Sequence, residues 1–154
     1  MTVRDTSEQG ARGATMRVSL QRVGPVAFEA TDARGAKMVL DGPPELGGEG
    51  RGLRPMELLL VSLAGCSAVD VVKILTQQKQ QLDDLRIEVE GRRADAVPAT
   101  YEHIRMRFVA GGDVSEHKLE RAVRLSVDKY CSVAKMLVPD VRVEWEAIVA
   151  DPVL

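Results

Sequence analysis

The stretch LLLVSLAGCSAVDVV, Leu58 to Val72, constrains this chain more than any other. Pro55 stands just ahead of it, where a proline suits the first turn of a helix. The run predicts one long helix over about residues 55–80. It stays apolar on most sides until Thr76, so the helix is expected at the centre of the fold and buried there rather than lying on its surface. Met56 to Leu75 also has about the length to cross a bilayer. But the stretch carries Glu57, Asp70 and Lys73, and TQQKQQ follows it. An ionised group at mid-bilayer costs several kcal/mol, so no membrane span is expected.

What surrounds such a helix is β structure. MRVSLQRV, VAFEATD and AKMVLDG read as three short strands separated by the GP and RG turn signals, an antiparallel meander. DGPPELGGEGRG then makes a loop of about a dozen residues, too rich in glycine to be regular, and loops of that length are often functional. Beyond the helix, LRIEVEGRRA and YEHIRMRFVAGG alternate with period two, as strands with one wet face do, and PATY turns between them. Ser115 opens a second helix with helical spacing at Leu119, Ala122, Val123, Ser126 and Tyr130. Cys131 falls at its end, Ser132 is placed to cap another short turn, and VRVEWEAIV closes the chain as a strand. Strands, long helix, strands, helix, strand give an α+β fold. Residues 1–15 have no apolar period and read as a flexible tail before a single domain over 16–154.

Composition excludes several functions. The 154 residues carry a formal net charge of -2, and aromatic residues make up 3%. Neither the charge for a nucleic-acid or anionic-membrane footprint nor the rings for base stacking are present. The polar opening, MTVRDTSEQGARGATM, lacks the apolar core of a signal peptide, and two cysteines are too few for a disulfide scaffold. A cytoplasmic protein with reduced thiols is expected. No CxxC or HxxxH spacing occurs, so no metal site is expected. His117 reads as a solvated first-turn residue, and His103 as lying on the outer face of its strand.

The two thiols are the chemical candidates. On the helix, Ser62, Asp70 and Lys73 share a face with Cys66, so a thin polar stripe crosses an apolar element. A cysteine there either fills space, as buried free cysteines commonly do, or serves as a reactive thiol in a greasy setting. Cys131, at a positive helix end if Ser132 caps the next turn, sits where a thiolate is favoured. The cysteines are 65 positions apart, so spacing alone does not bring them together.

DGPPELGGEGRGLRPMELLLVSLAGCSAVDVVKIL, followed by VRLSVDKYCSVAKML, resembles the family of osmotically inducible protein C and organic hydroperoxide resistance protein (OsmC/Ohr), and its broad OsmC-like branch most. The likeness runs from about Met16 to the C-terminus. It implies an OsmC-like fold that forms an intertwined homodimer with active sites at the subunit interface. It also implies a two-cysteine peroxidase that prefers organic hydroperoxides to hydrogen peroxide, in oxidative stress defence. Cys66 would attack the distal peroxide oxygen and become a sulfenic acid. Cys131 would condense with it to a disulfide, and an external dithiol reductant, a lipoyl protein or similar, would reset the pair with no bound cofactor. A second thiol protects a sulfenic acid from over-oxidation, and an apolar helix suits a lipid-like peroxide.

The sequence departs from the family pattern at the activating groups. Family members carry a Glu directly after the helix-opening proline, holding an Arg against the thiolate. Here that position is Met56, and the acid is Glu57, nine positions before Cys66 and about 180° round an ideal helix from it. Arg22 is the best match for the Arg and Arg34 the second. Asp70, one turn from Cys66, works against its ionisation unless a cation neutralises it. These departures support an alternative: a domain of the same fold that binds a small apolar ligand or senses redox state without peroxidase turnover.

Overall fold

A computed structural model describes residues 13–151. The tail expected over 1–15 lies mostly outside them. The chain divides between Pro55 and Met56 into two compact units.

The first unit is a three-stranded antiparallel meander of β1 (Val18–Arg22), β2 (Ala27–Asp32) and β3 (Lys37–Asp41), in that spatial order. It is the meander expected from the sequence. Asp32 organises the β2–β3 turn: its Oδ1 accepts the backbone N–H groups of Arg34 and Ala36, each at 2.9 Å, and its Oδ2 meets the Arg34 guanidinium at 2.8 Å. Gly35 takes φ +91° in that turn, a conformation that penalises a side chain.

The glycine-rich loop after β3 is held by one carboxylate. Asp41 is buried and accepts backbone N–H groups from Gly42 (2.8 Å), Glu49 (3.0 Å) and Arg51 (3.1 Å). Those bonds, from Arg51 first, hold its carboxyl below the usual carboxylate range. The glycines allow close approach of backbone to backbone. A Cβ at Gly52 would stand 2.0 Å from the Val39 carbonyl oxygen, and one at Gly48 1.9 Å from that of Gly42. The loop is thus irregular yet folded, with a 3-10 turn at Pro44–Leu46.

The second unit comprises α1 (Pro55–Gln77), β4 (Gln81–Arg93), β5 (Tyr101–Asp113), α2 (Glu116–Leu125), a π-helical turn (Ser126–Tyr130), α3 (Ser132–Leu137) and β6 (Arg142–Val149). The strands form one sheet in the order β4-β5-β6, with β4–β5 antiparallel and β5–β6 parallel. A parallel pair needs a long crossover, and the α2–α3 segment supplies it. Alternation sorts the faces of β5. Ile104, Met106, Phe108 and Ala110 are fully buried, while Arg105 is exposed and Arg107 reaches Glu88 and Glu146 on the wet face. Leu119, Ala122 and Val123 of α2 pack into the same core. β4 begins four residues earlier than its alternation suggested, with a register irregularity between Leu82 and Asp84. Lys79, at φ +56°, ends the helix sooner.

One expectation needs correction. Within the chain α1 buries a single stripe, Leu63, Ser67, Val71 and Leu75, rather than its whole surface. Val61, Val69 and Val72 are exposed, Val69 at 70%. One sheet face can cover only about a third of a helix, and i, i+4 spacing selects which third. By length and composition α1 passes for a membrane span. Its buried stripe instead belongs to the core shared with β5 and α2.

Candidate active site

Two breaks in regular structure place Cys131. The last turn of α2 widens into the π-helical turn, closed by the Cys131 N–H on the Ser126 carbonyl at 2.7 Å. Cys131 then takes an extended conformation, φ −68° and ψ 108°, before α3 begins. Widened turns of this kind often mark functional positions. Its thiol sulfur accepts the Ala134 N–H at 3.4 Å, so Cys131 itself caps α3. The sequence had assigned that cap to Ser132, which is instead the first helical residue.

Cys131 is fully buried, and Cys66 on α1 is half-buried. Both thiols are free and lie within hydrogen-bonding reach of each other. The fold therefore brings together two cysteines that spacing could not join. Burial pushes the Cys131 thiol up from its ordinary value. Donation from Ser67 and from the Ala134 N–H opposes that shift, and the neighbouring Cys66 adds to it. The cap does favour ionisation, as expected for a helix start, but desolvation outweighs it. The resting Cys131 is a neutral thiol at pH 7.

Two serines complete the arrangement. Ser67 follows Cys66, and its Oγ–H donates to Cys131 Sγ at 3.4 Å. Ser126 Oγ–H is shared between the Ser67 carbonyl at 3.3 Å and Asp70 Oδ2 at 3.1 Å. Both serines are fully buried. Sequence reasoning gave neither a role at the site, although Ser126 stood in the helical spacing of the second helix. Their signal was present: Ser67 is the one polar residue in the stripe Leu63–Ser67–Val71–Leu75, and a polar group inside a core-facing stripe requires a partner.

Asp70, expected to oppose ionisation of Cys66, is engaged with Ser126. Lys73 is exposed and lines a cleft of about 530 Å³ with Asp70, Arg121 and Tyr130. Glu57 is exposed in the first turn of α1; burial is what chiefly raises the Tyr101 phenol, and the Glu57 carboxylate adds to that rise. Arg22 belongs to β1 of the other unit, where its guanidinium donates twice to the Pro25 carbonyl, at 3.1 and 3.0 Å. Arg34 is paired with Asp32. His103 meets Glu144 across β5–β6 at 2.8 Å, and His117 is exposed. Among the described residues, no group of three or more His, Cys, Asp or Glu side chains is placed to hold a metal ion.

With both cysteine segments placed, comparison with known proteins is decisive: the family model for OsmC-like proteins matches residues 48–146, spanning Cys66 and Cys131. The chain belongs to the OsmC-like family. Protein YhfA of Escherichia coli is 35% identical to it over 123 residues, covering 79% of this chain and 89% of that protein. The crystal structure of a hypothetical protein from Aquifex aeolicus superposes with a TM-score of 0.76 at 37% identity, over 90% of this chain and all of that one. An organic hydroperoxide resistance protein OsmC from Legionella pneumophila shares the fold, with a TM-score of 0.67 at 19% identity over 89% of this chain and 98% of that one. The two sheets and long helix are those of the OsmC-like fold.

Proposed function

We propose that this OsmC-like protein is a two-cysteine thiol peroxidase that reduces organic hydroperoxides. The observation that carries the reading is the pairing of a half-buried Cys66 with a fully buried Cys131 within hydrogen-bonding reach. That asymmetry suits a division of labour. The accessible thiol meets the peroxide, and the sheltered one meets only its partner. In the first step Cys66 thiolate attacks the distal peroxide oxygen. The O–O bond breaks, the leaving alkoxide takes a proton from solvent and departs as the alcohol, and Cys66 holds a sulfenic acid. In the second, Cys131 displaces the hydroxyl as water and the disulfide forms. An external dithiol, oxidised in turn, returns both cysteines to thiols. The working form is a homodimer in which a second copy covers the exposed apolar face of α1. Glu57 and Arg22 remain the proposed activating pair, from the family resemblance.

The test is stoichiometric reaction of the reduced protein with cumene hydroperoxide beside hydrogen peroxide, followed by mass spectrometry. Faster loss of the organic peroxide and a product two hydrogens lighter, bridging Cys66 and Cys131, are expected. No consumption of either oxidant rejects the reading.

One observation favours the alternative of ligand binding without turnover. An apolar pocket of about 520 Å³ lies among Met56, Leu59, Thr100, Tyr101, Met136 and Leu137, between the start of α1 and the end of α3. Saturable binding of a small apolar probe by a protein inert to peroxide is the outcome that selects this second reading.

A further inference from the structure

We propose that Ser67 is the positioning residue of the resolving thiol, aligning Cys131 for attack on Cys66 and stabilising the negative charge that develops on its sulfur. The inference rests on the peroxidase reading for its kinetic consequence, but not for the contact itself. Ser67 touches the Cys131 segment at two points. Its hydroxyl donates to Cys131 Sγ, and its carbonyl accepts from Ser126, the residue that opens the turn leading into Cys131. Side chain and main chain of one residue thus fix both the sulfur and the backbone that carries it. Because Ser67 is the immediate neighbour of Cys66, the brace ties the two sulfurs to one turn of α1.

The chemistry calls for such a donor. When Cys131 attacks the sulfenic sulfur of Cys66, the S–S bond forms and the S–O bond breaks. The thiol proton departs with the hydroxyl as water. As that proton leaves, negative charge appears on a sulfur that has no solvent access, before the new S–S bond takes it up. Among the described residues, the donors to that sulfur are the Ala134 N–H, fixed by the start of α3, and the Ser67 hydroxyl, which a substitution can remove. In the reverse direction, when a reductant attacks Cys66, Cys131 is the leaving group and the same hydroxyl receives its charge.

Ser67→Ala and Ser126→Ala separate the two roles of the brace, and Ser67→Thr restores the hydroxyl. In a reduced Cys66→Ser background, the ultraviolet absorbance of the thiolate follows Cys131 ionisation with no peroxide present. Losing one hydrogen bond to the sulfur is expected to move the Ser67→Ala midpoint up by about 0.7 pH units. In the protein with both cysteines, Ser67→Ala is expected to slow disulfide formation about fivefold after one equivalent of cumene hydroperoxide. Over-oxidised Cys66 should accumulate, while melting temperature stays near that of the parent. Ser67→Thr is expected to return both readouts, and Ser126→Ala to leave the Cys131 titration where it was. An unchanged titration in Ser67→Ala overturns the proposal, as does an equal shift from Ser126→Ala. A protein that ignores peroxide but shows the Ser67-dependent titration rejects the peroxidase reading and keeps the contact.

Discussion

At the scale of single residues, the two cysteines differ in access more than in any other respect. Cys66 is half-buried and Cys131 has no exposed surface. Reaction with a small alkylating agent requires both thiolate and contact. Iodoacetamide added to the native reduced protein is therefore expected to label Cys66 well before Cys131, with peptide mapping as the readout. Equal labelling would mean that the Cys131 pocket opens readily. The raised Cys131 thiol also has a consequence for stability. The unfolded chain ionises this thiol near pH 8.5, while the folded chain keeps its proton to higher pH. Folding holds more protons in that window, so stability is fully present below it and lost as pH rises through the folded value. Cys131→Ala is expected to flatten the decline of melting temperature above about pH 8.5. Tyr101, also raised by burial, keeps a later decline in both proteins.

Elements were legible in the sequence where one physical rule dominated. Period-two alternation gave β4 and β5, and with His103 on the outer face of its strand it left Ile104, Met106 and Phe108 to the other, where all three are fully buried. Phe108→Ala is expected to cost about 3–5 kcal/mol, measured by denaturant unfolding. The apolar run gave α1, but hydrophobicity does not say what covers each face, and the chain's own sheet covers one stripe. The glycine-rich loop was legible as irregular, not as ordered, because its order comes from one side chain. Asp41 accepts three backbone N–H groups across ten residues. Asp41→Ala is expected to speed hydrogen exchange at the Gly42, Glu49 and Arg51 amides. In the parent the same amides should loosen in acid. The folded carboxyl lies below its ordinary value, so the stability it gives is present above about pH 4 and lost as pH falls through the folded value. The site itself was half legible. Resemblance to the family paired Cys66 with Cys131. Ser67 and Ser126 were not foreseen, because their partners lie 64 and 59 positions away, and only the crossover between β5 and β6 brings them home.

At the scale of the whole molecule, α1 presents a face that its own chain leaves bare. Val61, Gly65, Val69 and Val72 fall within about 80° of one another at 100° per residue. That arc lies apart from the stripe holding Leu63, Val71 and Leu75, so one helix carries two apolar faces and the chain covers only one of them. A contiguous exposed apolar face suits an interaction site, and the proposed occupant is a second copy of this chain. The wild-type protein is then expected to be a dimer at micromolar concentration by light scattering. Val69→Lys places a charge on a position already 70% exposed in the single chain, so it should leave the fold of one subunit intact by circular dichroism. It should still weaken association more than tenfold, because a buried unpaired ammonium costs several kcal/mol. A monomeric wild-type protein would break the link between this face and a partner copy, and with it the expectation of a site completed at an interface. A dimer that survives Val69→Lys would place the interface elsewhere. If dissociation also slows peroxide consumption while Cys66 alkylation persists, the second copy contributes to the reaction rather than to stability alone.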